Sequence, residues 1–221
     1  MSNTFETAFW KKASMDFEDG CLRVVGIGGT LREGSRSLAA LRRALDAVEE
    51  AGVEVELLDL RELGLPMYEP GLSLEECGGG VLRFIEAVRG ADALLISTAA
   101  YHGTLAGVTK NALDFTQFLA RDERPYLEGK VVGLISTAGG DQAAAHTTDA
   151  MVHVVHALRG VVAPLTVAIP KAWRLSDDEG RITDENYGRR LDRLGRLVIE
   201  LAEKVSPAHG SRSVENVGIA V

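Results

Sequence analysis

The chain has 221 residues and a mass of 23.7 kDa, a length that suits one large domain of roughly 100–200 residues with short appended arms. Lys plus Arg is 24 against 32 Asp plus Glu, a formal charge of −8; the chain lacks the basic footprint of a nucleic-acid binder, and any anionic ligand needs a local holding device. Its 46% hydrophobic and 25% charged residues exclude a disordered chain, and no apolar run approaches the ~18 residues of a membrane span.

Residues 1–20, MSNTFETAFWKKASMDFEDG, carry scattered charges and no apolar signal core, and read as an N-terminal arm. Cys21 and Cys77 lie far apart and outside any zinc or CxxC spacing, which points to a reduced, cytoplasmic compartment. Residues 22–27 (LRVVGI) form the first apolar run and lead into a glycine-rich turn. In residues 37–51, Leu38, Leu41, Leu45 and Val48 recur at helical spacing, and Gly52 stops them. Residues 53–60 read as a strand, and Pro66 and Pro70 mark the loop after it.

A helix over 81–89 ends at Gly90, and residues 91–97 (ADALLIS) are the continuous apolar run of a strand buried on both faces. Helix is expected over 106–119, strand over 130–136 and helix over 141–158. The fifth strand, 161–169, contains Pro164 and so suits a sheet edge. A closing helix over 184–205 places Leu191, Leu194, Val198 and Leu201 on one face, and residues 206–221 read as a C-terminal tail. Fivefold strand–helix alternation predicts an α/β fold with a doubly wound, five-stranded parallel sheet. Right-handed crossovers favour the order 2-1-3-4-5, with ligands beyond the carboxyl ends near the switch between strands 1 and 3.

The turn after strand 1 fails two tests. Leu31 stands where a dinucleotide fingerprint beginning at Gly26 and Gly28 needs its third glycine, and Ser35-Arg36 follow Gly34 where a P-loop needs Lys and Ser/Thr. What remains is Thr30, Ser35 and Ser37 with Arg32 or Arg36 at a helix N-terminus, whose unpaired amides suit a phosphate. The plainer reading, a serine cap beside solvated arginines, needs only one of the three hydroxyls. The loops at 97–107 and 136–141 bring small residues, Tyr101, His102 and the Gly139-Gly140 pair to the same end of the sheet. Together the three loops suit a phosphorylated planar cofactor, and FMN fits better than a dinucleotide.

These residues resemble the NAD(P)H-dependent FMN reductases. GGTLREGSRS is similar to that family's G-S-x-R-x-x-S-x-[NS] phosphate loop, and DLRELGLPMYEP (59–70) to its turn after strand 2. STAAYHGTLAGVTKNALDF resembles its flavin-contacting segment, and IPKAWRLSDDEGRITDE (169–185) its stretch before the last helix. The resemblance implies a flavodoxin-like FMN-binding domain over 21–205, assembled as a homodimer or homotetramer. It also implies NAD(P)H as donor and free flavin, quinone or another small electrophile as acceptor, with a flavin-dependent monooxygenase as a recipient of reduced FMN.

By position, Thr30, Arg32, Ser35 and Ser37, with Arg36 beside them, would hold the FMN phosphate. Thr98, Ala99, Ala100, Tyr101, His102 and Gly103 would line the ring, and Thr137, Gly139, Gly140 and Asp141 would approach its pyrimidine edge. Ala99-Ala100 replace the family's usual Pro-Glu pair. Hydride transfer at the flavin needs no side-chain acid or base, so no catalytic residue is expected.

Other residues keep two readings each. Tyr101 either borders the ring or fills core, and His102 either meets flavin or lies exposed. Lys171 and Arg174 either meet a 2′-phosphate of NADPH or are solvated, and Trp173 either covers the flavin or packs at an interface. Phe115, Phe118 and Leu119 form either a dimer seam or core. His146, His153 and His156 share a helix face but lack a carboxylate or cysteine at a recognised metal spacing. The competing function is a flavodoxin-type FMN-binding electron carrier. A response regulator is excluded, because Gly28-Gly29 and Ser97-Thr98 stand where it needs acids.

Overall fold

Strand β1 (Arg23–Gly28) lies between β2 (Glu54–Asp59) and β3 (Ala93–Tyr101), with β5 (Val131–Thr137) and β6 (Val161–Ile169) beyond β3, all paired in parallel. The structure, a computed structural model, describes residues 22–177 and 181–205; the expected arm over 1–20 and tail over 206–221 lie outside them. The long strands follow the expected doubly wound order, with the chain reversal between β1 and β3. A two-residue strand, β4 (Thr104–Leu105), is added off this path and pairs antiparallel with the end of β3.

The two faces of β1 explain the layers. Val25 and Ile27 enter one core with Leu58, Phe84, Ile85, Phe115 and Met151, under α3 (Gly79–Gly90), α4 (Gly107–Asp114) and α5 (Ala143–Ala157). Val24 enters the other with Leu41, Leu45, Leu191, Leu194 and Val198, under α1 (Arg36–Glu49) and α6 (Glu185–Val205). A short α2 (Leu60–Leu63), not anticipated, follows β2 and is capped by Asp59, whose carboxylate accepts from the Arg61 amide at 2.9 Å.

Two expectations need correction. The helix read over 106–119 is α-helical only through Asp114, and Phe115–Leu119 tighten into a 3-10 segment. Phe115 and Leu119 are buried in the first core, and Phe118 packs against it with Tyr68, so the apolar spacing there is packing and not an exposed seam. The segment read as a long loop from 97 continues as strand to Tyr101 and turns at His102-Gly103, with φ of 52° and 83°. Two successive positive φ values are the type I′ signature of a tight hairpin. Pro164 is exposed on edge strand β6, where the β5–β6 register shifts. His146, His153 and His156 are exposed on α5, and no group of three or more metal-ligating side chains occurs among the described residues.

Helix α6 crosses α1 closely because Gly195 faces the Ala44 carbonyl, and an added Cβ would overlap that oxygen. Gly188, in the same helix, has open space where its Cβ would be. Gly195→Ala is expected to lower the unfolding free energy by roughly 1–3 kcal/mol through overpacking. Gly188→Ala should leave it unchanged or raise it by about 0.5–1 kcal/mol, since alanine is the better helix former; urea titration of both variants checks the pair.

At the amino end of the sheet, Lys130 is buried and its Nζ donates to the carbonyls of Arg89 at 3.0 Å and Ala91 at 2.6 Å. Burial, then the Arg124 charge, pushes its pKa down from 10.5 to about 8, against the pull of Asp92 and Asp122. The unfolded chain therefore binds more protons between those two values, so the Lys130 contribution makes stability rise with pH across that window. Unfolding of wild type and Lys130→Met, compared from neutral pH to about 10.5, should show this rise only in the wild type.

Candidate functional site

Helix α1 begins at the mouth of the sheet. Ser35 is its N-cap, with its Oγ accepting from the Leu38 amide at 3.3 Å and lying 3.0 Å from the Ser37 Oγ. Helical geometry leaves the amides of Arg36 and Ser37 without intrahelical acceptors, so they present donors and partial positive charge to the turn that precedes them. Gly34 turns the chain into the cap with φ of 62°, a conformation that glycine adopts freely. Thr30 is buried and accepts from the Arg32 amide at 3.3 Å. Arg32 is exposed beside the cap and has no ion pair among the described residues, whereas neighbouring Glu33 is held by Arg61 at 2.6 Å. That pairing lowers the Glu33 pKa through its hydrogen bond and charge, and leaves Arg32 as the uncompensated charge of the turn.

One tie fixes this helix start against β3, and a second fastens the loop after β2. The Ser97 Oγ donates to the Ser37 carbonyl at 2.7 Å, joining β3 to the first turn of α1. Asn111, in α4, accepts from the Tyr68 amide at 2.8 Å and donates to the Pro66 carbonyl at 2.7 Å, fastening the loop after β2. The sequence reading passed over Asn111 as an individual residue, although it lies in one of the quoted motifs.

One cleft collects the loops. Thr30, Arg32, Gly34, Ser35, Arg36 and Ser37 line it from the first turn, and Ala99, Ala100 and Tyr101 from the end of β3. Thr137, Ala138 and Gly139 line it after β5, and Ala172 and Trp173 after β6. Ten expected residues thus share one concavity. Ala99 and Ala100 leave a low wall there, and an added Cβ at Gly34 or Gly139 would meet nothing within 4 Å. A cationic helix end beside small-residue walls fits a phosphate joined to a flat ring, so the donor set is compatible with FMN.

The other expected residues fall elsewhere. Thr98 is buried, its Oγ1 accepting from the Ala106 amide at 3.1 Å and lying 2.8 Å from the Thr109 hydroxyl, so it secures the base of the hairpin. His102 and Gly103 form the exposed hairpin turn and do not line the cleft. Gly140 lies just past the lining, and Asp141 is ion-paired with Lys171 at 2.8 Å. Arg36 lines the cleft, but its Nε donates to the Ser176 Oγ at 2.8 Å. The Ala138 amide and carbonyl are both used, by Ile169 and Ala172, which closes the loops after β5 and β6 onto each other. Sequence patterning left Trp173 undecided and did not select Gly34, Ala138 or Ala172. Their only signal was their nearness to selected residues.

Comparison with known proteins gives this cleft its context. The family model for NADPH-dependent FMN reductase matches residues 22–174. An NAD(P)H-dependent FMN reductase of Pseudomonas aeruginosa is 34% identical over 168 residues, covering 74% of this chain and 86% of that protein. An FMN-dependent NADPH-azoreductase of Staphylococcus haemolyticus is 29% identical over 159 residues, covering 71% and 81%. Among solved structures, the flavoenzyme NAD(P)H:(acceptor) oxidoreductase FerB of Paracoccus denitrificans superimposes with a TM-score of 0.60 at 24% identity, covering 83% of this chain and 98% of that one. An oxidoreductase of Corynebacterium diphtheriae gives 0.64 at 18% identity, covering 85% and 100%. These structural likenesses place the fold among flavodoxin-like sheets.

Proposed function

The chain belongs to the NADPH-dependent FMN reductase family, NAD(P)H-dependent flavin oxidoreductases with FMN as cofactor, and we propose that the cleft at the carboxyl end of its sheet is the FMN site from which small planar acceptors are reduced. Free flavin, quinones and azo compounds are the acceptor classes, the last in keeping with the name of the staphylococcal relative. The observation that carries this reading is the convergence of the turn after β1, the end of β3 and the turn after β5 on one cleft whose first wall is a helix N-terminus with an uncompensated arginine.

Bound FMN supplies the acceptance of a hydride from the nicotinamide ring and its donation to the second substrate. The chain's own part is binding and orientation. Thr30, Ser35 and Ser37 offer hydroxyls and the start of α1 offers backbone amides to the phosphate, while Arg32 adds the charge that an acidic molecule otherwise lacks. Ala99 and Ala100 keep the β3 wall low enough for a flat ring to approach. The β3–β4 hairpin stiffens that wall, because Ala100 and Tyr101 pair with Leu105 and Thr104. Leu31, on the turn after β1, and Met67 and Leu72, on the long loop that follows β2 and α2, are exposed apolar residues, which supports assembly of a homo-oligomer through these loops.

Anaerobic addition of NADPH or NADH to the FMN-loaded protein tests the reading. Loss of the visible flavin absorbance, followed by its return on adding a quinone, is the expected result. A loaded protein that stays yellow would be a carrier without turnover on pyridine nucleotides. Arg32→Ala is expected to weaken FMN binding about 10- to 100-fold, the worth of one charge-assisted hydrogen bond. Riboflavin, which has no phosphate, should bind both proteins equally, and parallel titrations of the two flavins measure the difference.

A further inference from the structure

Trp173 sits on the 3-10 turn Ala172–Arg174 that follows β6, and the residue is 52% exposed although it lines the cleft. The Arg174 guanidinium lies over the ring, 4.6 Å from its centroid. A large apolar ring left half in water would ordinarily relax against the protein, but this turn is tied down on several sides. The Ala172 amide donates to the Ala138 carbonyl at 3.0 Å, and the Ser176 Oγ donates to the Ala172 carbonyl at 3.0 Å. Arg36, at the start of α1, donates through Nε to that same serine oxygen at 2.8 Å. Before the turn, Lys171 holds a left-handed φ of 47° and pairs with Asp141. Backbone strain of this kind persists only where surroundings enforce it, and it gathers at binding sites.

Resting on the reading of the cleft as the FMN site, we propose that Trp173 is a cofactor-contacting residue that covers the flavin ring, and that Ser176, clipped by Arg36, is the positioning residue that keeps it there. The chemistry is aromatic stacking. The indole offers a flat apolar surface to a planar heterocycle, and exposed indole area is removed from water when the ring arrives. Arg36 then has a second role besides facing the phosphate turn, because it couples the start of α1 to the turn that carries the indole.

Flavin emission separates contact from mere proximity, since indole and phenol quench an excited flavin by electron transfer at contact and a phenyl ring does not. Tyr101 also lines the cleft, so the comparison is made in a Tyr101→Phe background. With FMN bound, adding Trp173→Phe should brighten the flavin while affinity is largely kept. Trp173→Ala should weaken FMN and riboflavin alike by about three- to tenfold, the worth of one aromatic contact. Ser176→Ala should move both readouts in the same direction by less.

Unchanged emission and affinity in the Trp173 variants, with FMN bound, would overturn the assignment. So would an affinity loss that accompanies a fall in oligomer mass by light scattering, which would place the indole in a subunit contact. Failure of the unmodified protein to bind FMN at all would remove the cofactor reading and this inference together, and is seen before any variant is made.

Discussion

The N-terminal end of α1 is the constraint on which the site depends. Its first amides have no intrahelical acceptor, and the chain must satisfy them with a side chain, water or a ligand. Ser35 satisfies one and lies close to Ser37, which leaves the others facing the turn that contains Thr30 and Arg32. In a molecule carrying a formal charge of −8, this local cluster of donors is what makes an anion site physically reasonable, because the wider field is repulsive to phosphate. The pairing of Glu33 with Arg61 belongs to the same account. Without it the turn would hold a carboxylate beside its arginine.

Parallel strands explain why the ends of β3 and β5 meet that turn. Every long strand ends at the same edge of the sheet, and β1 and β3 are neighbours whose helices pack on opposite faces, so a crevice opens between their continuations. Several polar contacts then fix the crevice without entering it. Ser97 grips α1, Thr98 secures the hairpin base, and Asn111 fastens the loop after β2. Such side chains look like site residues in a sequence because they lie in the same short segments. Their hydrogen bonds are nevertheless spent inside the protein, and they shape the cleft from behind.

The division between wall and support also accounts for what could be read in advance. Apolar periodicity and glycine stops located the five long strands and most helices to within a few residues. The short α2 and β4 were missed, since two to four residues carry no period. The segment after Ser97 looked like loop because its residues are small apart from Tyr101 and His102, yet pairing of Ala99 with Thr137 and of Ala100 with Leu105 makes it strand. Tertiary hydrogen bonding overrode local propensity there.

The amino-acid sequence by itself determined the doubly wound α/β class, the strand order, the hydroxyls and arginines gathered at a helix start in the turn after β1, and the family resemblance. All of these follow from patterns local along the chain. Only the tertiary structure decided that Thr98, His102, Gly103, Gly140 and Asp141 stay out of the cleft while Ala138, Ala172 and Trp173 join it. Which way a side chain faces is set by long-range partners, such as Thr109 for Thr98, Lys171 for Asp141 and Arg36 for the turn that carries Trp173. No spacing along one segment records where the other segment will lie.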